Sequence, residues 1–456
     1  MAAHLRHDWT DANRLSLGAL FLLVIAIATA IGAPSLYWIL LAAALAGAIG
    51  FFALLHPVAF SMGWLVITGL TLEMALNDLV GPAAFQATIA AVKGTGILLT
   101  LICIWRYGPR RDVFSPVWGF ATLMMAGLMH GLYPGLTAGD SLRSLFGSIA
   151  PYVFGFARVP RQWADGIIRT TIWCPTIAVL GGAAFDAAGL RPMFVESGGW
   201  RLAGLGHPAF LAGVCLPAIY AGLIELWRAG RPRDRVLLGV NLLILILTGA
   251  RAPLACALAV GGMTLLTAPS AMVSARERLS LMLFAALVLP LLILLAGNLS
   301  DVRLFKLLTN DLGNLSGREY LWPSFEAAAA GSPWFGWGLG AGNAIIPPDS
   351  PVAQMLHTWA AHNEYLRMEV EGGQAGRALL VLLFWVWAYR HTAPLWIAER
   401  RIMRFVFLAF AAHAFTDNVL ISTPACVLFA FATAVFARGE HDERMASSLP
   451  GAARKA

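Results

Sequence analysis

Ser35–Leu55 reads SLYWILLAAALAGAIGFFALL, 21 consecutive residues without a single charge. A transmembrane helix needs about 20 apolar residues to cross the hydrocarbon layer. Just before it, Leu15–Ile31 (LSLGALFLLVIAIATAI) is equally free of charge, and similar runs recur along the chain. They lie near 15–32, 35–55, 58–76, 84–105, 116–132, 141–157, 167–185, 207–227, 235–249, 252–268, 279–297, 378–397, 403–417 and 419–437. Composition points the same way: 59% of the 456 residues are hydrophobic and only 12% charged. The charged share is about half the soluble norm of roughly 25%. A soluble fold of this length could not cover its surface with so few charges. The expected fold class is therefore all-α: a polytopic integral membrane protein with 12–14 transmembrane helices.

The charge pattern orients those helices. Net charge is +7, and with only three lysines (Lys93, Lys306, Lys455) arginine carries nearly all of the positive charge. Arginines gather in alternate loops: Arg106, Arg110 and Arg111; Arg158 and Arg161; Arg228, Arg231, Arg233 and Arg235; Arg276 and Arg278; Arg390, Arg400 and Arg401; and the tail from Arg438. The intervening loops, at 77–82, 130–140 and 185–206, hold few basic residues. The positive-inside rule assigns the first set to the cytoplasm, so the basic excess needs no nucleic acid to explain it. Ala28-Thr29-Ala30 resembles a small-residue cleavage site, but a second span follows almost at once, and Leu15–Ile31 is read as a retained first span. The five cysteines fall in apolar runs without C-x-x-C spacing, which suggests neither disulfides nor zinc.

This orientation puts one long hydrophilic stretch, Asn298 to Gly376, on the periplasmic side. Connections beyond about 12–15 residues in compact proteins are usually functional. The chain is accordingly expected to divide into N-terminal transmembrane helices (1–297), a periplasmic loop carrying the chemistry (298–376), C-terminal transmembrane helices (377–438) and a disordered cytoplasmic tail (439–456).

Several arginines sit where general rules disfavour them. Arg251, in Thr248-Gly249-Ala250-Arg251-Ala252-Pro253, falls where one apolar run ends and the next begins. Pro253 suits the first turn of a helix. A cation there opposes the helix dipole by about 0.3–1 kcal/mol, unless an anion binds alongside it. Snorkelling to lipid phosphates is the plainer account. Arg318 repeats the logic: Ser316-Gly317-Arg318-Glu319 reads as a capping box with Ser316 as N-cap. Its plainer account is a salt bridge, for instance to Asp311. Arg201 is a third arginine in a periplasmic loop. Three arginines converging on one face would suit a pyrophosphate.

The long loop ends in His357-Thr358-Trp359-Ala360-Ala361-His362-Asn363-Glu364-Tyr365-Leu366. No H-E-x-x-H pattern is present, so the histidines do not read as zinc ligands. An imidazole of ordinary basicity is suited to take a proton from a sugar hydroxyl; a loop histidine satisfied by hydrogen bonds is the plainer reading. The glycines of Gly336–Gly342 lack the strand–turn–helix context of a nucleotide loop and are read as a tight, flexible turn. Glu73 and Lys93, inside apolar runs, read either as a functional pair or as a link between adjacent helices. Asp417, beside Asn418 at a short turn, is placed to line the same cavity as the loop.

Taken in order, these pieces resemble the O-antigen ligase and polymerase family of bacterial membrane glycosyltransferases. The resemblance rests on R-x-x-G-x-x-H-P (Arg201, Gly204, His207, Pro208), T-G-A-R (Thr248–Arg251) and S-G-R-x-x-x-W (Ser316–Trp322). It continues through the Pro333–Asn343 glycine turn and H-N-E-Y-L…E-x-G-x-x-G (His362–Leu366, Glu371, Gly373, Gly376). It implies transfer of a glycan from undecaprenyl-pyrophosphate to a sugar hydroxyl at the periplasmic face of the inner membrane, with inversion and without metal, nucleotide sugar or other cofactor. His362 would activate the acceptor, and Arg251, Arg318 and Arg201 would hold the pyrophosphate. His207, Asn363, Glu364, Ser316 and Asp417 would support them. The acceptor would be a lipid-linked repeat unit, as in exopolysaccharide or O-antigen polymerisation, or lipid A–core. A flippase and a chain-length regulator are the expected partners. A protein O-oligosaccharyltransferase is the alternative within the family. A transporter of a lipid-linked sugar or small anion is the alternative outside it, but no internal repeat of the kind common in transporters is visible.

Overall fold

The computed structural model describes residues 47, 50–196, 199–268, 275–276, 278–279, 283 and 317–448, except His357 and the side chain of Glu319. The runs near 15–32 and 279–297, most of 35–55, Ser316, Asp311 and the end of the tail lie outside the described residues.

The described chain is mostly helical, in keeping with the apolar runs. The first helices are α1 (Pro57–Leu70), α2 (Leu72–Val80), α3 (Pro82–Tyr107), α4 (Pro116–His130) and α5 (Ala138–Ile149). A short 3-10 turn (Val153–Phe156) leads to α6 (Arg161–Ala187), followed by α7 (Pro208–Ala229), α8 (Pro232–Leu247) and α9 (Arg251–Thr267). After residue 317 come a 3-10 turn (Arg318–Tyr320), α10 (Trp322–Gly331), α11 (Pro351–Leu356), α12 (Glu364–Thr392), α13 (Ile397–His413) and α14 (Thr423–Ser448). Proline opens α1, α3, α4, α7 and α8, where its missing N–H costs nothing and its fixed φ suits the helix.

The protein is a membrane protein. Among the described residues, α3, α6 and α7 are long and apolar enough to cross a bilayer; α1 and α2 are apolar enough together but bent by 61°, as in a broken span or a re-entrant loop. The bend falls at Thr71, whose φ of 51° places a non-glycine residue in the left-handed region. Among the described residues, not every apolar run is one uninterrupted helix. The run at 141–157, for example, is a 12-residue helix broken before the 3-10 turn, and Ala157 then forms a β-bridge with Pro109.

The loop at 185–206 carries a short hairpin in this mostly helical chain: Phe194–Glu196 (β1) pairs antiparallel with Trp200–Leu202 (β2), with Val195 opposite Arg201. One expectation needs correction. The tail is not disordered from residue 439, because α14 continues to Ser448. Charged side chains hold that extension: Arg161 and Arg228 pair with Asp442, and Arg110 pairs with Glu440.

The core is centred on α14. From Val427 to Phe436 its residues are buried all round, as expected of a helix apolar on every face. Phe429 stands at the middle of an aromatic cluster with Tyr152, Phe384, Trp387 and Phe410. This packing fixes the position of α12 and α13, whose ends carry the histidine motif and the Asp417 turn.

Candidate functional site

The loop carrying His362 is shaped by short-range polar contacts. Asn363 caps α12, its side-chain oxygen accepting from the N–H groups of Tyr365 and Leu366 at 3.1 and 3.2 Å. His362, just outside the cap, has φ 47°, a left-handed conformation that a side chain of its size rarely takes unaided. Trp322 Nε1 donates to the carbonyl of Ala361 at 2.9 Å and ties this loop to the start of α10.

Asp417 comes to His362 from the turn between α13 and α14. His362 Nδ1 lies 2.9 Å from Asp417 Oδ1, and Nε2 lies 3.0 Å from Thr358 Oγ1. An ionised carboxylate can only accept, so Nδ1 carries the proton and donates it to Asp417. The lone pair of Nε2 then accepts from the Thr358 hydroxyl. Burial would raise the Asp417 carboxyl, but its hydrogen bond and charge contact with His362, together with His413 and Arg318, hold it far below the usual carboxylate range. The pair is an oriented imidazole with a basic nitrogen facing a hydroxyl.

The turn bearing Asp417 is itself braced. Tyr365 stacks on Phe415 with ring centroids 4.1 Å apart. Glu364 Oε1 accepts from the N–H of Leu420 at 2.7 Å, and Tyr152 donates its hydroxyl proton to the Leu420 carbonyl at 2.8 Å. Lys93 Nζ donates to the Ile421 carbonyl at 2.8 Å. Glu73 and Lys93 read from the sequence as a functional pair or a link between helices; among the described residues no ion pair joins them, and Lys93 is engaged by the Ile421 carbonyl.

Behind His362, three charged residues form a buried chain. Arg367 donates to Glu364 and to Glu371, each at 2.6 Å, and Glu371 accepts from the N–H of Gly340 at 3.2 Å. The chain reaches the glycine turn, which is tight. Trp337 and Gly338 donate backbone N–H groups to the carbonyls of Val370 and Glu371. Gly336 and Gly373 both have positive φ, and a Cβ on Gly373 would lie 2.3 Å from the carbonyl carbon of Trp334. Contact that close is open only to glycine, and it coincides with the kink in α12 at Gly373.

Of the three arginines, Arg318 contacts the turn that carries the dyad. Arg318 lies in the 3-10 turn behind Gly317 (φ 78°), not in the first turn of an α-helix as the capping-box reading had it, because α10 begins only at Trp322. Its guanidinium donates to the carbonyl of Thr416, the residue preceding Asp417. The segment 318–322 therefore grips both sides of the dyad, Thr416 through Arg318 and Ala361 through Trp322. Burial and the charge of Arg251 lower the Arg318 pKa, while Asp417 opposes them. Arg251 opens α9, as its flanking residues suggested, after Gly249 (φ 64°) has ended α8. Arg201 is buried on β2, and its Nε donates to the carbonyl of Thr248 at 2.8 Å, holding the corner from which Arg251 projects. His207 caps α7, its Nδ1 accepting from the N–H of Ala209 at 3.2 Å. Its side chain is exposed, yet the protein around it, and then the neighbouring charge of Arg201, push its pKa down to about 4, although Asp417 pulls the other way.

The structure thus brings Arg201, His207, Arg251, Arg318, His362 and Asp417 into one electrostatic neighbourhood from five separate stretches of chain. The model of the O-antigen ligase family matches residues 236–381, from α8 to the middle of α12. Arg251, Arg318 and His362 lie inside the matched segment; Arg201, His207 and Asp417 lie outside it and join it only in three dimensions. No curated protein matches the chain. Sequence reasoning passed over Thr358 and Arg367. The spacing of Thr358 four residues before His362 was a weak signal. Arg367 at i+3 from Glu364 and i−4 from Glu371 was a stronger one, since those spacings put three opposite charges on one helix face.

Proposed function

We propose that the chain is a membrane glycosyltransferase that moves a glycan from undecaprenyl-pyrophosphate to a hydroxyl of a sugar acceptor at the periplasmic face of the inner membrane. The observation that carries this reading is the His362–Asp417 dyad with Arg318 bonded to the carbonyl beside it and Arg251 close enough to act on Arg318. The match to the O-antigen ligase family supports the same class of reaction.

In the proposed step, the acceptor hydroxyl takes the place of the Thr358 hydroxyl at His362 Nε2. Its proton passes to Nε2 as its oxygen attacks the anomeric carbon. The bond from that carbon to the pyrophosphate oxygen breaks on the opposite face, which inverts the centre. The departing undecaprenyl pyrophosphate gains negative charge, and Arg251 and Arg318 neutralise it, a form of stabilisation that is usually large. Asp417 holds the imidazole in the correct tautomer and stabilises the imidazolium that forms. Arg201 acts on the pyrophosphate by placing the Arg251 corner, and His207, pressed towards its neutral form, lines the pocket. No step requires a metal or a nucleotide sugar.

Purified protein incubated with radiolabelled undecaprenyl-pyrophosphate oligosaccharide, EDTA and no nucleotide sugar tests the reading. A product ladder with more lipid-linked unit as acceptor identifies a polymerase. A single shifted band with lipid A–core identifies a ligase. Failure of both acceptors, with a peptide acceptor glycosylated instead, would move the proposal to a protein O-oligosaccharyltransferase. Vectorial movement of the lipid without any transfer would replace it with a transporter.

A further inference from the structure

A second polar cavity lies at the far end of α12 from His362. The helix has 29 residues, so the two ends are roughly 40 Å apart at about 1.5 Å per residue. The cavity, about 230 Å³, is lined by Arg110, Arg111, Asp112, Phe114, Trp387, Arg390 and His391 among others. The glycosyl-transfer chemistry makes no use of it.

Its inner wall is fully engaged. Asp112 Oδ2 accepts from Trp387 Nε1 at 2.9 Å and faces His391 Nε2 at 3.0 Å. Arg110 donates to His391 Nδ1 at 2.7 Å and pairs with Glu440 on α14. An imidazole that accepts at Nδ1 must carry its proton on Nε2, so His391 is neutral and bridges Arg110 to Asp112. Both nearby carboxylates are thereby satisfied from within. Two guanidinium groups remain on the rim. Arg111 forms no ion pair among the described residues, and Arg390 rests on the Phe114 ring, 4.7 Å from its centroid, with no carboxylate partner among them. A rigid polar wall with two uncompensated guanidinium groups at its mouth is a receptor for an anion with several oxygens, and arginine forks match phosphate in particular.

The surroundings indicate how such an anion arrives. Trp105 is 69% exposed, Trp118 51% and Tyr389 64%. Aromatic side chains exposed in this way at helix ends mark the level of the lipid headgroups. The cavity therefore opens where phosphodiesters are concentrated, beside apolar surface that acyl chains would cover.

We propose that this cavity binds the phosphate of an anionic phospholipid headgroup, with Arg111 and Arg390 as the contacting groups and Arg110, Asp112 and His391 as their fixed support. The site locks the end of α12 opposite the histidine motif to the membrane surface.

The test uses the full chain purified in neutral detergent. Its thermal midpoint is measured with added phosphatidylglycerol, with phosphatidylcholine, and with inorganic phosphate, for the wild type and for an Arg111→Gln/Arg390→Gln variant. Both positions are on the rim, and a size-exclusion profile checks that the variant is folded. Phosphatidylglycerol is expected to raise the wild-type midpoint where phosphatidylcholine does not. The variant is expected to bind it roughly 30-fold more weakly, at about 1 kcal/mol for each arginine lost. An equal shift by phosphatidylglycerol in both proteins would overturn the assignment to this cavity. An equal shift by inorganic phosphate in the wild type would overturn the lipid as its source. Equal response to the two lipids would remove the anion altogether.

Discussion

Two sets of arginines in the helix bundle are held in different ways. At the end away from His362, one set is matched to carboxylates. Arg228 pairs with Glu399 and Asp442, Arg438 with Glu225 and Glu399, and Arg161 with Asp442. These pairs staple α14 to α7 and α13 and complete themselves inside the fold. At the His362 end, Arg318 and Arg201 donate to the backbone carbonyls of Thr416 and Thr248. A carbonyl orients a guanidinium without forming an ion pair, and the charge of Arg318 acts across space on Asp417. The difference separates cations that staple helices together from cations that the proposed function places at the pyrophosphate. The rim arginines at 111 and 390 have no carboxylate partner among the described residues and line the polar cavity proposed above to take an anion.

The sharpest way to break this contrast is to disturb the dyad. Asp417→Asn should lower turnover roughly 10²–10⁴-fold, because an amide no longer fixes the productive tautomer or supports the imidazolium. A single-turnover transfer assay reads this directly, and near-normal rates would reduce Asp417 to a structural role. Next, Arg251→Lys and Arg318→Lys should each cost about 10–100-fold in kcat/KM, since a point charge does not reproduce the two-pronged contact with phosphate. Arg438→Gln is the control from the other end. It should lower the melting temperature but leave the turnover per folded molecule unchanged. Equal losses of turnover at both ends would erase the contrast.

Two smaller effects concern how the site is held. Gly373→Ala should destabilise the protein by about 3 kcal/mol, because the added carbon has only the backbone at Trp334 to displace. Thermal melting measures it, and a neutral result would mean that α12 is not pinned to the glycine turn. The smallest effect is in pH. The native Asp417 carboxyl is held below its ordinary value, so its contribution to stability is complete above a pH of about 4 and is lost as pH falls further, towards the native value. The stability gap between wild type and Asp417→Asn, about 1–2 kcal/mol, should therefore hold from neutral pH to about 5 and shrink below about 4. A gap that widened on acidification would contradict the assignment.

Much of the site was legible in the sequence because its residues break general rules. Arg251 at a helix start and Asp417 at a short turn stand out against dipole and burial preferences, and the glycines of the 336–342 turn against helix propensity. What the sequence left hidden is relational. Nothing in the chain says that Arg318 reaches Thr416, that Trp322 reaches Ala361, or that Glu364 holds Leu420, because each contact spans 39 residues or more. The fold shows the same division. Apolar runs locate most helices to within a few residues. They do not reveal that the run at 141–157 breaks, that α12 kinks at Gly373, or that Arg201 sits on a hairpin. The polar tail misled for a related reason: Glu440 and Asp442 read as solvated charges until their arginines on other helices are seen.

The most direct test of this account measures donor binding and transfer side by side in His362→Ala and Arg318→Lys, with labelled undecaprenyl-pyrophosphate oligosaccharide as donor. The account predicts that His362→Ala binds the donor as the wild type does and fails to transfer it, whereas Arg318→Lys loses affinity for the donor as well. Wild-type turnover in His362→Ala, or undiminished donor binding and transfer in Arg318→Lys, would contradict it.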